Sequence, residues 1–195
     1  VVTMSVDREH IPAKHRQLIK AFLDEADMSA DVIKTVDFPP AYGADIVVSC
    51  EKAKDPKNGS IYLKPTQFVL GIGCRRDTAF ENIDRAIRQS LLKLQIDISD
   101  IDMIASIDVK KDEPGIKEFC ERNRIDFVTY TADELMAVQG EFSASQFVRE
   151  HVGVDNVCER AAVLACSREC NKAGELIYKK HKYDRVTVAA AKYPD

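Results

Sequence analysis

The sequence predicts an α/β protein, a three-layer α/β/α sandwich with a mixed, mainly parallel sheet. Short apolar segments with strand character alternate with amphipathic helical segments along most of the chain. One such strand, at residues 68–70, leads through a glycine-containing turn into a helix, as α/β folds require. The chain closes with two adjacent strand-like segments, at residues 176–178 and 186–189, and such a pair makes the sheet mixed.

The connection at residues 69–78, VLGIGCRRDT, is the most informative segment of the sequence. Gly71 and Gly73 allow a tight turn or the close approach of another backbone. This turn, with the N-terminus of the helix that follows, is the candidate anion site. Thr78 and Glu81 have the spacing of a capping box, which predicts that a helix begins there. The apolar residues of this helix fall on one face, at Phe80, Ile83, Ile87, Leu91 and Leu94.

Cys74, Arg75 and Arg76 are therefore predicted at the mouth between a strand and a helix, where α/β folds bind anionic ligands. The segment is not a dinucleotide fingerprint, because Arg76 stands where the third glycine belongs. It is not a P-loop either, because no Gly-Lys-Ser/Thr follows. A glycine-rich turn with two solvated arginines is the alternative interpretation.

The residues before this connection predict four further strands, at 1–6, 32–36, 46–48 and 61–63. A helix follows Pro12, with an apolar face at Leu18, Ile19, Phe22, Leu23 and Ala26. A polar loop with a turn at Asn58-Gly59 precedes the last of these strands. We place a domain boundary near Lys64, which gives an N-terminal segment of residues 1–64 and a second domain of residues 65–195.

Beyond the first connection, a strand at residues 101–109 is predicted to end in Ser106-Ile107-Asp108, and Pro114 opens the next helix. A short strand at residues 127–128 follows. The pairs Thr131 with Glu134 and Ser143 with Gln146 predict two more capping boxes, and another helix begins after residue 155. The basic stretch at residues 179–185 is predicted to join the two terminal strands.

Arg75, Arg76, Lys110 and Lys111 each follow a predicted strand, just before a helix. If the two strands are neighbours, these cations share one edge of the sheet and would bind a polycarboxylate or a phosphate. Two unrelated solvated pairs are the alternative. Asp108 ends an apolar strand at the same edge and is the candidate general base. Helix capping is favoured for the neighbouring acidic residues, Asp112 and Glu113.

The remaining reactive residue types give weaker patterns. A helix N-terminus and two arginines would lower the thiol pKa of Cys74, although a small packing residue is favoured. Cys158, Cys166 and Cys170 lack zinc spacing, and the histidines are scattered singly, so no metal site is predicted. For Glu159-Arg160 the choice is between an intrahelical surface role and a buried ion pair.

Composition narrows the class of protein. A net charge of −4 argues against broad electrostatic binding to nucleic acid or to an anionic membrane. The sequence shows neither a transmembrane run nor a secretory signal, and its six cysteines are expected as free thiols in a reducing cytosol, which predicts a cytoplasmic protein. The first residue is valine, so a longer polypeptide is one expectation.

Five segments in order carry a family resemblance: VLGIGCRRDT, SIDVKKDEPGI, FSASQFVREHVGV, VCERAAVLA and the closing VTVAAA. Together they resemble the C-terminal domain of the cobalamin biosynthesis protein G (CbiG) family, whose aerobic-pathway relative is CobE. The resemblance covers residues 67–191, and the first 64 residues loosely resemble the tail of the family's middle region. Asp77 departs from the family pattern, which usually has glycine there.

The resemblance implies part of a cobalt-precorrin-5A hydrolase, which opens a δ-lactone on a polycarboxylate tetrapyrrole intermediate and releases acetaldehyde. It implies no cofactor of the chain's own, since cobalt enters only with the substrate. The N-terminal domain expected of a full-length member, or other enzymes of the pathway, would be the protein partners. A non-catalytic, CobE-like module that binds a corrinoid intermediate is the alternative, and an unrelated phosphate-binding domain is a third.

Overall fold

The computed structural model describes residues 2–27, 33–36, 38, 44–49, 60–170 and 172–194. The chain divides into two compact units, Val1–Pro65 and Thr66–Pro194. The predicted turn at Asn58-Gly59 lies outside the described residues. Among the helices that the structure describes, none has both the length and the apolar character needed to span a membrane.

The first unit contains a parallel sheet of four strands with the order β2-β1-β3-β4. Its strands are β1 (Val2–Val6), β2 (Ile33–Val36), β3 (Ile46–Val48) and β4 (Ile61–Leu63), and helix α1 spans Ala13–Asp27. Ile19 and Leu23 of α1 pack against the small core, but Leu18 and Phe22 are more than half exposed, at 59% and 52%. The inward face of α1 is therefore narrower than its sequence predicts.

The second unit contains a mixed sheet of five strands with the order β7-β6-β5-β9-β8. Its strands are β5 (Phe68–Cys74), β6 (Ile101–Ile107), β7 (Asp126–Tyr130), β8 (Glu175–Lys182) and β9 (Val186–Lys192). Strands β5, β6 and β7 are parallel, whereas β9 runs antiparallel to both β5 and β8. The mixed sheet is confirmed, and β8 extends through much of the basic stretch that was predicted to be a connection.

Helices cover both faces of this sheet. They are α2 (Phe80–Leu94), α3 (Pro114–Asn123), α4 (Ala132–Met136), α5 (Gln146–Val152) and α6 (Val157–Cys170). Successive residues of a strand point to opposite faces, so Leu70 enters the core formed with α2 and α3, whereas Val69 enters the core formed with α6. The three-layer α/β/α sandwich is confirmed.

The predicted helix starts divide into two groups. The capping box of Thr131 and Glu134 is present, and Pro114 occupies the first turn of α3. The box predicted at Thr78 is wrong: its hydroxyl donates to the Arg75 carbonyl (2.6 Å), its amide donates to Glu113 Oε1 (3.1 Å), and α2 begins two residues later. The box predicted at Ser143 is also wrong, because that side chain bonds to Glu159.

Gly71 allows α6 to lie directly on β5. A Cβ atom added at Gly71 would lie 1.7 Å from the carbonyl oxygen of Cys158, so no side chain fits between the strand and the helix. The neighbouring turn of α6 carries Ala161 and Ala162, both fully buried, which lets the two backbones approach closely. The packing of α6 on the sheet thus depends on small residues on both elements.

We expect Gly71→Ala to lower the free energy of unfolding by about 3 kcal/mol, because the added methyl group must displace the α6 backbone. Gly153→Ala is the matched control. Gly153 ends α5 in the left-handed region (φ 75°), but a Cβ there meets no atom closer than 3.7 Å. Gly153→Ala should lower the free energy of unfolding only by the backbone strain of about 1 kcal/mol. Denaturant unfolding of both variants checks this, and equal losses would contradict the packing role of Gly71.

Candidate functional site

A cleft of about 450 Å³ opens at the edge of the sheet where β5 and β6 end. Because these strands are parallel neighbours, their carboxyl ends meet on one side, which is where α/β folds place their ligands. The tip of the β8–β9 hairpin and the N-terminus of α6 form the other walls. Its cationic lining residues come from three separate chain segments: Arg75, Lys110, Lys180, Lys182 and Arg185.

The lining of this cleft is positively charged, since it contains five cationic residues and, among the described residues, no aspartate or glutamate. Lys110 is held from behind by the buried carboxylate of Glu113 (Nζ to Oε2, 2.9 Å), which also accepts the Thr78 amide. On the opposite wall, the Arg185 guanidinium donates to the Arg76 carbonyl (2.8 Å). These contacts fix the two walls of the cleft before any ligand is present.

The residues assigned to an anion site from the sequence are only partly brought together. Gly73, Cys74, Arg75 and Lys110 line the cleft. Gly71 lies below it, in the contact with α6.

Three other candidates do not line the cleft within the described chain. Arg76 contributes its carbonyl to the wall contact with Arg185 and has an exposed side chain. Asp108 is exposed, in a short 3₁₀ turn (Asp108–Lys110) that follows β6. Lys111 lines a different groove, together with residues of α3 and β7.

The acidic pair that follows this turn does not cap α3 as predicted. Glu113 occupies the cap position, but its side chain makes no capping hydrogen bond, because the Thr78 amide and Lys110 occupy it instead. Asp112 is exposed and lies 3.8 Å from Lys117. Glu113 is therefore a link between β5, β6 and α3.

Cys74 is a packing residue with a weakly acidic thiol. Burial raises its pKa to about 11, and the nearby Lys110 and Arg185 only partly offset this. The lowered pKa considered from the sequence is thus wrong. Cys74 packs against the core beneath α2.

Sequence reasoning left the β8–β9 hairpin out of the site, although it supplies Lys180, Lys182 and Arg185. The basic stretch at residues 179–185 was the available signal. These charges lie at the same edge of the sheet as Arg75 and Lys110 only because the β8–β9 hairpin pairs with β5, and the sequence alone does not show that pairing.

Glu159 and Arg160 are both buried, but they do not pair with each other. Arg160 bonds to Asp155 (Nε to Oδ1, 2.7 Å) and to the Val138 carbonyl, and this guanidinium holds the pKa of Asp155 below its usual value. Glu159 accepts hydrogen bonds from Ser143 and from the Lys180 amide. The surface role and the buried ion pair are therefore both wrong for this dipeptide.

Residues 68–191 match the family described as Cobalamin synthesis G C-terminus. A cobalt-precorrin-5A hydrolase of Salmonella typhimurium is 38% identical over 102 residues, which are 52% of this chain and 29% of that protein. A probable cobalt-precorrin-5A hydrolase of Methanocaldococcus jannaschii is 32% identical over 137 residues, which are 68% of this chain and 42% of that protein. The chain thus spans less than half the length of these two curated relatives.

Among solved structures, that of CobE, a protein from the cobalamin (vitamin B12) biosynthetic pathway, superposes with a TM-score of 0.61 at 25% identity. The match covers 64% of this chain and 89% of CobE. The family match begins and ends within the second unit and takes in the segments that carry the cleft. The chain belongs to the family of the cobalamin synthesis protein G C-terminal domain.

Proposed function

We propose that this chain binds a polycarboxylate tetrapyrrole intermediate in the cationic cleft and forms part of a cobalt-precorrin-5A hydrolase. The observation that carries the proposal is the convergence of five cationic residues on one sheet edge in a chain whose net charge is −4. In this proposal cobalt enters only as part of the substrate, and the chain needs no cofactor of its own. The two named hydrolases are similar to this chain over 52% and 68% of its length, which supports the assignment.

The distribution of the charges fits a macrocycle with carboxylates around its rim. Arg75 follows β5, Lys110 follows β6, and Lys180, Lys182 and Arg185 come from the hairpin, so the charges surround the cleft instead of clustering at one point. Arginine pairs with a carboxylate in a planar, two-point geometry, whereas lysine acts as a compact point charge. A ligand with several acetate and propionate groups would engage several of these cations together.

Lactone opening requires an activated water and a stabilised oxyanion. Water adds to the lactone carbonyl carbon, the ring C–O bond breaks, and the leaving alkoxide takes a proton. We keep Asp108 as the candidate base, two residues before Lys110 in the turn after β6; because its side chain is exposed and does not line the cleft, this role requires a macrocycle that extends past Lys110 to that turn. Arg75 and Lys110 are the cations we assign to the developing negative charge, beside Gly73 near the end of β5.

Non-catalytic binding is the second candidate function. It is favoured by one observation, namely that the match covers 89% of CobE, so this domain makes up nearly all of a protein that is not named as a hydrolase. Both candidates use the same cleft and the same class of ligand. They differ in whether the macrocycle leaves the protein changed.

Incubation with cobalt-precorrin-5A separates the two candidates. A hydrolase releases acetaldehyde, which can be trapped as a hydrazone, and the absorbance spectrum of the macrocycle changes. A binding module retains the unmodified spectrum through gel filtration and yields no aldehyde. The assay should be run with the chain alone and with the polypeptide that supplies the remainder of a full-length member. Absence of aldehyde from the completed protein would exclude the hydrolase.

Arg75→Ala should weaken the binding of dicyanocobyrinic acid, a corrinoid with free carboxylates, by about tenfold to a hundredfold, the loss expected for one charge-assisted contact. Arg76→Ala is the matched control. Its side chain is outside the cleft, and its carbonyl contact with Arg185 survives the substitution. Fluorescence or calorimetric titration measures both affinities. Equal losses in the two variants, or saturable binding of simple nucleotides by the wild type, would contradict this site.

A further inference from the structure

Glu159 is a buried carboxylate that the proposed chemistry does not use. It lies in the first turn of α6 with 0% exposure, directly behind the cleft. Its two oxygens accept three hydrogen bonds from two other chain segments: Ser143 N to Oε2 (2.8 Å), Ser143 Oγ to Oε1 (2.8 Å) and Lys180 N to Oε1 (2.6 Å). All three partners donate, so both carboxylate oxygens act as acceptors.

Strand β8 is deformed at the point where it meets Glu159. Tyr178 lies opposite Ala190 and His181 lies opposite Val188, so β8 carries one residue more than β9 between these pairs. This irregularity leaves the Lys180 amide free to donate to Glu159. Bulges of this kind redirect a side chain at the rim of a site, and the Lys180 side chain lines the cleft.

The loop before α5 is fixed by the same turn of α6. Asn156 donates to the Ser143 carbonyl (2.8 Å) and accepts the Glu159 amide (2.9 Å), while the Ser145 amide donates to the Asp155 carbonyl (2.9 Å). Ser145 lines the cleft, two residues beyond Ser143. Glu159 therefore joins two walls of the cleft: the wall that carries Ser145 and the wall that carries Lys180.

We propose that Glu159 is a positioning residue that sets the spacing between the Ser145 wall and the Lys180 wall of the cleft. The expected effect on ligand affinity rests on the proposed function, whereas the effect of Glu159 on the spacing of the two walls does not. Glutamine at this position keeps the volume but replaces one accepting oxygen by a donor group. One of the three donors then faces another donor, and the two walls separate.

The test combines a local probe with an affinity measurement. Cys158 is 1% exposed and lines the cleft, whereas Cys120 is 5% exposed and lies on α3, outside the cleft. In Glu159→Gln, alkylation of Cys158 by N-ethylmaleimide should become about tenfold faster, the factor for loss of one hydrogen bond to a charged group. Alkylation of Cys120 should stay unchanged, and peptide mass spectrometry quantifies each site. The affinity for dicyanocobyrinic acid should fall by a similar factor.

Glu134→Gln is the matched control, because the Glu134 carboxylate also accepts a backbone amide, that of Thr131 in the α4 capping box, but lies outside the cleft. It should lower stability without changing Cys158 alkylation or affinity. If Glu159→Gln does not fold, Ser143→Ala removes one donor and should give the same pattern with a smaller effect. An unchanged Cys158 rate, or equal acceleration at Cys120, overturns the inference. If the wild type binds no corrinoid, the proposed function fails and the alkylation rates alone decide this inference.

Discussion

The contact between β5 and α6 at Gly71 is the constraint on which the site depends. The helix backbone occupies the volume that a side chain would need, so α6 begins directly behind the end of β5. This places Asn156, directly before α6, and Glu159 and Arg160 of its first turn where they can bond to neighbouring loops. A larger residue at position 71 would move that turn, and its hydrogen bonds would move with it. The packing of α6 on β5 in the core therefore determines the geometry of the cleft.

The fold could be predicted because its signals are local. A short apolar run marked β5, an apolar helical face marked α2, and Pro114 marked the start of α3. The capping boxes were less reliable. The Thr131 hydroxyl caps α4, whereas the Thr78 hydroxyl donates to the Arg75 carbonyl three residues earlier and the Ser143 hydroxyl donates to Glu159 of α6. A local hydrogen bond at Thr78 and a tertiary one at Ser143 each replaced the capping bond, which spacing alone could not reveal.

The site could be predicted only where neighbouring strands were evident. Arg75 and Lys110 follow strands whose parallel pairing the alternation of elements predicts, and both line the cleft. Lys180, Lys182 and Arg185 depended on an antiparallel hairpin whose neighbour, β5, lies more than a hundred residues earlier in the sequence. Arg76 and Lys111 show what sequence position alone cannot predict. Each directly follows a cleft residue in the sequence, and turn geometry directs only one residue of each pair toward the cleft.

Five like charges around one cleft repel one another, and the chain offsets this repulsion with carboxylates placed behind the walls. Glu113 pairs directly with Lys110, and Glu159 bonds to the backbone of Lys180. Both carboxylates are buried, so neither contacts a ligand within the cleft. An anion that enters finds the Lys110 ammonium already held in place by Glu113, and it need not supply the energy to order that side chain. Electrostatic attraction in a partly desolvated cleft is also stronger than on an open surface. The buried acids therefore contribute to binding without contacting the ligand, because they allow a positive lining to persist in an acidic protein.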